Sequence, residues 1–312
     1  MIEDWVSIGS ASVIGSSHLQ SGGECEDAFY VKRSLDNKWC SIVLCDGAGS
    51  ASKSKEAAVL VSKYFAECLI ELSEKLEFDK KISINDYIFL KIIDIRDMLR
   101  NTANSVDLSD YHCTLVAVLF NSEIGLSIHI GDGIILSGSD TEFNFCINEN
   151  SHDQFISKPH NGEFSNETFF VTEKDWIKNL RINVFPKFNW LAIATDGGSE
   201  FIAEHNSSPS RILKDTFNLL RLNKFKNSNI ILEDMLSSKE FSHITGDDKT
   251  IVIAMKNDFI ENGKSDLNYE AGVYQYNNSE LVEEHHEPIK NTTLKTLISM
   301  FRILYKRKNQ KQ

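Results

Sequence analysis

The sequence predicts an α+β sandwich, and three features of its 312 residues carry that reading. Short apolar runs come in groups, at 25–31 and 39–45 and again at 113–120, 124–130 and 134–137. Two long stretches with apolar residues three and four apart lie between those groups. Further helical stretches then precede a last apolar run at 250–255. Strands in groups, helices in pairs and strands again differ from the strict strand–helix alternation of a parallel sheet.

Taken in order, residues 5–14 alternate loosely and predict an edge strand, and 15–24 are turn-rich and polar and predict a loop. Residues 25–31 predict a strand that begins with Glu26 and Asp27. Asp36 and Asn37 supply a turn, and 39–45 the returning strand. Such a hairpin brings Glu26 and Asp27 level with Asp46. After Gly49 a long helix is predicted, with Ala58, Val61, Phe65, Leu69 and Leu72 on one face, and a second over about 85–104 with Ile88, Ile92, Ile95 and Leu99. Strands follow at 113–120, 124–130, 134–137 and 143–147, then a polar loop at 148–166 and a strand at 168–172. Helices are expected near 199–206, 209–223 and 230–238, and the run 250–255 closes the sheet. The unit 1–256 reads as one domain. Residues 257–289 read as a polar, acidic linker, and 290–312 as a basic amphipathic helix with Leu294, Leu297, Ile298 and Phe301 on its stripe. That helix could dock on its own domain, bind a partner, or lie on an anionic membrane surface.

Composition narrows the function. A hydrophobic share of 41% with 25% charged residues is that of a soluble globular protein. The net charge is −12, and because 290–312 carry seven Lys/Arg and no acid, the remainder stands at −19. That balance argues against general nucleic-acid binding. No basic n-region with an apolar h-region opens the chain, and no apolar run approaches a membrane span of roughly 20 residues. The six cysteines form no Cys-x-x-Cys pair and read as reduced thiols of a cytoplasmic protein.

The chemistry lies at the strand ends. Asp46-Gly47 ends one apolar run, Asp132-Gly133 a second and Asp196-Gly197 a third, while Asp247-Asp248 opens a fourth. One Asp-Gly pair is an ordinary turn. Four acidic strand ends in one chain point instead to carboxylates gathered around hard cations, Mg²⁺ or Mn²⁺. Two such ions about 4 Å apart acidify a water and clamp a phosphoryl group. Asp46 is then the candidate to bridge both ions, with the Gly47 carbonyl beside it, Asp196 and Asp247 completing one shell, and Glu26 and Asp27 serving the other. The chain has no Gly-x-x-x-x-Gly-Lys-Ser/Thr loop, no Cys with Arg six residues on, no Asp-x-Asp and no His-Glu-x-x-His. Bland roles suit several neighbours: His129 packed within its strand, His112 at the edge of reach of the cleft, Lys53 and Lys55 facing solvent.

Glu26-Asp27-Ala28, Asp46-Gly47-Ala48-Gly49, Cys113-Thr114-Leu115, Gly131-Asp132-Gly133, Thr195-Asp196-Gly197 and Asp247-Asp248-Lys249-Thr250 follow one another in a familiar order. Over about 8–256 the chain resembles the metal-dependent protein phosphatases, the type 2C Ser/Thr phosphatases, in their bacterial form. The resemblance implies a four-layer α-β-β-α sandwich of two packed antiparallel sheets flanked by helices, with metals in a cleft at one end. It implies Asp46 as bridging ligand, Gly47 as carbonyl ligand, Asp196 and Asp247 on the first metal, Glu26 on the second with Asp27 behind it, and Asp132 and Glu200 on an optional third. Glu200 alone also suits a solvated helix start. Ala48 stands where the family often has His, and Gly22 where many members have Arg. His18, in the preceding loop, resembles the His of some bacterial members and is the candidate phosphate contact or proton donor. The implied activity is hydrolysis of phosphoserine and phosphothreonine in proteins, with a phosphoprotein and a cognate kinase as partners. Two rival readings are an inactive copy that binds phosphoproteins and an esterase of small phosphometabolites.

Overall fold

The structure is a computed structural model describing residues 4–78, 82–139, 154–160, 168–185, 187–204, 208–242 and 244–262. In chain order the elements are β1 (Val6–Val13), α1 (Ser16–Ser21), β2 (Ala28–Arg33), β3 (Cys40–Cys45), α2 (Ser54–Phe78), α3 (Ile84–Ala103), β4 (Leu115–Phe120), β5 (Gly125–Ile130), β6 (Ile134–Gly138) and β7 (Gln154–Ser157). There follow α4 (Trp176–Asn179), β8 (Arg181–Phe185), β9 (Trp190–Ala194), α5 (Asp196–Ile202), β10 (Ala203–Glu204), β11 (Ser208–Pro209), α6 (Arg211–Leu222), α7 (Ser228–Leu236), α8 (Lys239–Ser242), β12 (Lys249–Lys256) and α9 (Asn257–Asn262).

Two five-stranded sheets form, with strand orders β1-β12-β9-β6-β7 and β2-β3-β4-β5-β8. Every pairing within them is antiparallel. The sheets pack face to face over Ile42, Leu44, Val116, Val118, Leu191, Ile193 and Val252. The outer face of the second sheet carries α2 and α3 through Val61, Phe65, Leu69, Ile88 and Ile92. The outer face of the first carries α5, α6 and α7 through Phe201, Leu213, Phe217 and Leu232. This is the expected α-β-β-α sandwich. With apolar layers on both faces, β3, β4 and β9 are buried at every position, which is why they read as unbroken apolar runs rather than alternating ones. The first helix pair forms over the predicted spans because the apolar stripe and the caps agree. Ser83 accepts the Asp86 N–H at the start of α3, and Asn104 closes it in the left-handed region.

Four expectations need correction. Residues 15–24 are not all loop: Gly15 and the left-handed Gly22 (φ 72°) bracket the short helix α1. Residues 154–157 lie in the predicted polar loop but form β7 by pairing with β6. Residues 168–172 do not form a strand. They are held irregularly, by Val171 N–H donating to the Cys113 carbonyl at 2.9 Å and by Arg96 donating to the Val171 and Glu173 carbonyls. The strand sits further on, as β8, which the sequence reading missed. The run 250–255 does not close its sheet, because β12 lies second in it, between β1 and β9. The predicted strand 143–147 and helix 290–312 lie outside the described residues.

Candidate metal centre

The antiparallel order puts the acids at one end of the sandwich. β3, β5 and β9 end there, and β2, β4, β6 and β12 begin there, so their loops share one cleft. Ala28 pairs with Cys45, which brings Asp27 level with Asp46 as the hairpin predicted.

Asp46, Asp132 and Asp196 each offer a carboxylate oxygen to a group in which all three atoms lie within 4.8 Å of one another. Asp46 leaves the end of β3, Asp132 sits in the β5–β6 turn, and Asp196 is the first residue of α5. Asp247, expected beside Asp46 and Asp196, is exposed and stands outside that trio, yet its charge raises the pKa of all three. Glu26 and Asp27 precede β2, and Glu200 is exposed on α5.

The electrostatics are those of acids crowded out of water. Burial, then the charges of Asp27, Asp196, Asp247 and Asp132, push the Asp46 carboxyl well above the usual carboxylate range. Burial and its acidic neighbours raise Asp196 to about 7, and burial raises Asp27 to about 6. The cations nearby do not relieve this: Lys55 donates to the Asp27 carbonyl and Lys249 to the Asp247 carbonyl. Lys55 is therefore partly buried beside the site rather than facing solvent.

Threonines, to which the sequence alone assigns no role, orient the acids. Thr195 Oγ donates to Asp27 Oδ2 at 2.8 Å and Thr168 Oγ to Asp132 Oδ2 at 2.5 Å. Thr114 Oγ accepts the Asp46 N–H at 2.9 Å. After this, Glu26 Oε2, Asp27 Oδ1 and Asp132 Oδ1 remain buried with no hydrogen-bond partner. Hard oxygen donors, mutually repelling, with orphaned atoms in the cluster, fit divalent cations. Gly47 is held close as well. A Cβ there would lie 2.9 Å from the Glu26 carbonyl oxygen and 2.8 Å from Ser54 Cβ.

Asp248 was missed. It is 2% exposed and accepts from Gly15 N–H at 2.6 Å, Glu26 N–H at 2.5 Å and His18 Nδ1–H at 2.9 Å. The doubled Asp247-Asp248 at a strand start was a usable signal, because neighbours there point to opposite faces. Burial lowers the His18 pKa, but the hydrogen bond to Asp248 and the charges of Asp248, Glu26 and Asp247 outweigh it and raise it. A Cβ on Gly49 would lie 3.8 Å from His18 Nε2 and 4.0 Å from Glu26 Oε2, so the second ring nitrogen of His18 lies on the Gly49 and Glu26 side of the ring. His112 donates or accepts at Thr172 Oγ (2.7 Å), stacked on Phe170, and His129 is buried in β5 as expected.

The sequence profile of protein phosphatase 2C matches residues 14–237. The chain belongs to the protein phosphatase 2C family. As a member it is a serine/threonine protein phosphatase of a metal-dependent family whose substrates are phosphoproteins. It is 26% identical to serine/threonine-protein phosphatase 3 of Escherichia coli K12 over 257 residues, which covers 78% of this chain and 96% of that one. The S. agalactiae serine/threonine phosphatase shares the fold at 13% identity and a TM-score of 0.51, over 81% of this chain and 100% of that one. A C. elegans sex-determining protein does so at 12% identity and a TM-score of 0.57, over 82% of this chain and 67% of its own. Among the described residues of this phosphatase, no helix is long and apolar enough to cross a membrane.

Proposed function

We propose that this chain hydrolyses phosphoserine and phosphothreonine in cytoplasmic proteins, using two Mn²⁺ or Mg²⁺ ions held by Asp46, Gly47, Asp196, Asp247 and Glu26, with Asp27 behind Glu26 and Asp132 serving a third. The single observation that carries this reading is the convergence of Asp46, Asp132 and Asp196 within 4.8 Å. When bound, the ions supply an acidified water and a clamp for the phosphoryl group. The residues do the rest. Asp46 would hold the ions together with the Gly47 carbonyl, and Thr195 fixes the Asp27 carboxylate that backs Glu26. His18, tethered through Nδ1 to Asp248, turns Nε2 toward the cleft and there contacts phosphate or gives a proton to the leaving oxygen. This role falls to His18 because Ala48 has no ionisable group. We assign the phosphatase domain to 1–256, a linker to 257–289 and a basic helix to 290–312. That helix would dock on the domain, on a partner or on an anionic membrane, and a cognate kinase would supply the substrate.

Asp46→Asn tests the reading. Turnover of p-nitrophenyl phosphate and of a phosphothreonine peptide should vanish, Mn²⁺ affinity should fall, and the metal-free fold should be at least as stable as the wild type, since one of the mutually repelling charges is gone. Wild-type turnover in that variant would refute the bridging role. Ala48 and Gly22 favour a second reading, a phosphoprotein-binding module. Mn²⁺ binding by the wild-type chain without turnover of either substrate would establish it.

A further inference from the structure

On the other side of Gly131 from the acids, nitrogen gathers instead of oxygen. His129 on β5 is paired in register with Arg181 on β8, so both side chains leave the same face of their sheet. That face looks toward the other sheet, for His129 Nδ1 lies 2.8 Å from Ser157 Oγ at the end of β7. His129 Nε2 is buried and has no partner. Arg181 is partly buried. It donates from Nη1 to the Lys158 carbonyl at 2.5 Å and from Nη2 to the Gly131 carbonyl at 3.1 Å, and its Nε is left without a partner. His160 donates its backbone N–H to the same Gly131 carbonyl at 3.1 Å, and its Nδ1 is also orphaned. The left-handed φ of Gly131, 111°, turns that carbonyl toward both.

Arg181 and His160, which converge on one carbonyl, and His129, paired in register with Arg181, thus each keep an unused ring or guanidinium nitrogen. Their charge is unanswered too. Burial lowers the pKa of Arg181, and among the described residues no carboxylate offsets it. Burial and then Arg181 lower His129 and His160, again with no acid contributing. Buried guanidinium groups are ordinarily matched by an anion, because desolvating an unpaired charge is costly. In a chain of net charge −12, the partly buried guanidinium of Arg181 has only carbonyls as partners among the described residues.

We propose that His129, His160 and Arg181 form a binding site for a small tetrahedral oxyanion of the phosphate class, separate from the carboxylate cluster. The anion accepts from His129 Nε2, which selects the tautomer in which Nδ1 accepts from the Ser157 hydroxyl, and it accepts from Arg181 Nε. Entry is past the partly exposed His160 and Arg181, with the exposed Lys158 at the rim. The anion is either free inorganic phosphate or a phosphate carried on a peptide. The inference does not depend on the proposed metals.

The full chain, stripped of metal by chelator, is titrated with inorganic phosphate and with a phosphoserine peptide by calorimetry. Saturable phosphate binding is expected, weakened by at least about tenfold in Arg181→Gln, the scale of a lost charged hydrogen bond, and not weakened in Asp46→Asn. Peptide binding tighter than phosphate, and likewise lost in Arg181→Gln, identifies the peptide as the carrier; equal or weaker binding identifies the free ion. Binding that Arg181→Gln leaves intact, or no saturable binding at all, overturns the site. Should Arg181→Gln not fold, wild-type crystals soaked in selenate decide: an anomalous peak beside His129 Nε2 supports the site, and none there refutes it. Because the measurement uses metal-free protein, its failure leaves the metal reading standing.

Discussion

Asp248 ties three backbone segments together with one buried carboxylate, and its loss would be felt in folding before catalysis. Asp248→Ala strands the N–H groups of Gly15 and Glu26 and frees His18, so urea unfolding of the metal-free chain should show a loss of about 2–4 kcal/mol. The acids of the cluster act in the opposite sense. Asp196 is raised to about 7 and Asp27 to about 6 in the fold, against ordinary values near 4 when unfolded. Between pH 4 and 7 these acids bind more protons in the fold than in the unfolded chain, so their contribution to metal-free stability falls as pH rises through that window, while His129 and His160, lowered by burial, contribute in the opposite sense. Saturating Mn²⁺ should flatten the slope, because the cation neutralises what the protons did. Denaturant midpoints at pH 4.5 and 7.5, with and without Mn²⁺, check both halves when the wild type is compared with Asp196→Asn; a metal-free pH slope identical in the two chains would contradict the crowding described. At this scale much was legible. Asp46, Asp132 and Asp196 advertise themselves by Asp-Gly after an apolar run. Asp248 shows only as the second of a doubled acid at a strand start, because a residue that serves by accepting backbone N–H groups carries no spacing of its own, and Thr168 and Thr195, which donate to Asp132 and Asp27, carry none either.

Among the elements, the hairpin β2–β3 and the start of α2 set the geometry of the centre, and Gly47 is where they touch. A methyl at Gly47 would meet Ser54 Cβ at 2.8 Å and two backbone atoms, the Glu26 carbonyl oxygen and the Ser54 carbonyl carbon, at 2.9 Å. Gly47→Ala should cost about 1–3 kcal/mol by thermal denaturation and should weaken Mn²⁺ binding by spreading Glu26 from Asp46. Unchanged metal affinity would detach Gly47 from the site. Elements with their own periodicity were readable, as α2, α3, β3 and β4 illustrate. Those created by long-range partners were not. β7 exists because β6 offers an edge, and β8 carries exposed Asn183 and Val184 as an edge strand with little apolar pattern. Conversely, 168–172 has a strand-like composition but spends its hydrogen bonds on Cys113 and Arg96. α5 begins at Asp196 rather than three residues later, so the acid itself forms the first turn, where a negative charge meets the helix dipole.

For the whole molecule the open matter is where the folding unit stops. The composition changes after residue 256, and the domain proposed above ends there. The polypeptide does not loosen at that point, because α9 continues directly from β12. Phe259 is 5% exposed in the core beneath the first sheet, with the Arg221 guanidinium 5.1 Å from its ring. Asn257 N–H donates to the Trp5 carbonyl at 3.0 Å, and its side-chain oxygen accepts from Ser7 Oγ at 2.7 Å. These contacts pin the start of α9 to β1, the edge strand of its sheet. A chain cut after Asn262 should keep the melting temperature of the full chain and its Mn²⁺-dependent turnover. A chain cut after Lys256 gives up the Phe259 packing, about 3–5 kcal/mol for an aromatic lost from a core, which corresponds to a drop on the order of 10 °C for a domain this size. Its carboxylates lie at the far ends of β12 and β9, so Mn²⁺ affinity measured well below the new melting point should match the full chain. Equal melting temperatures for the two cuts would place the boundary at 256. A loss of turnover on cutting after Asn262 would instead make 263–312 part of the catalytic unit.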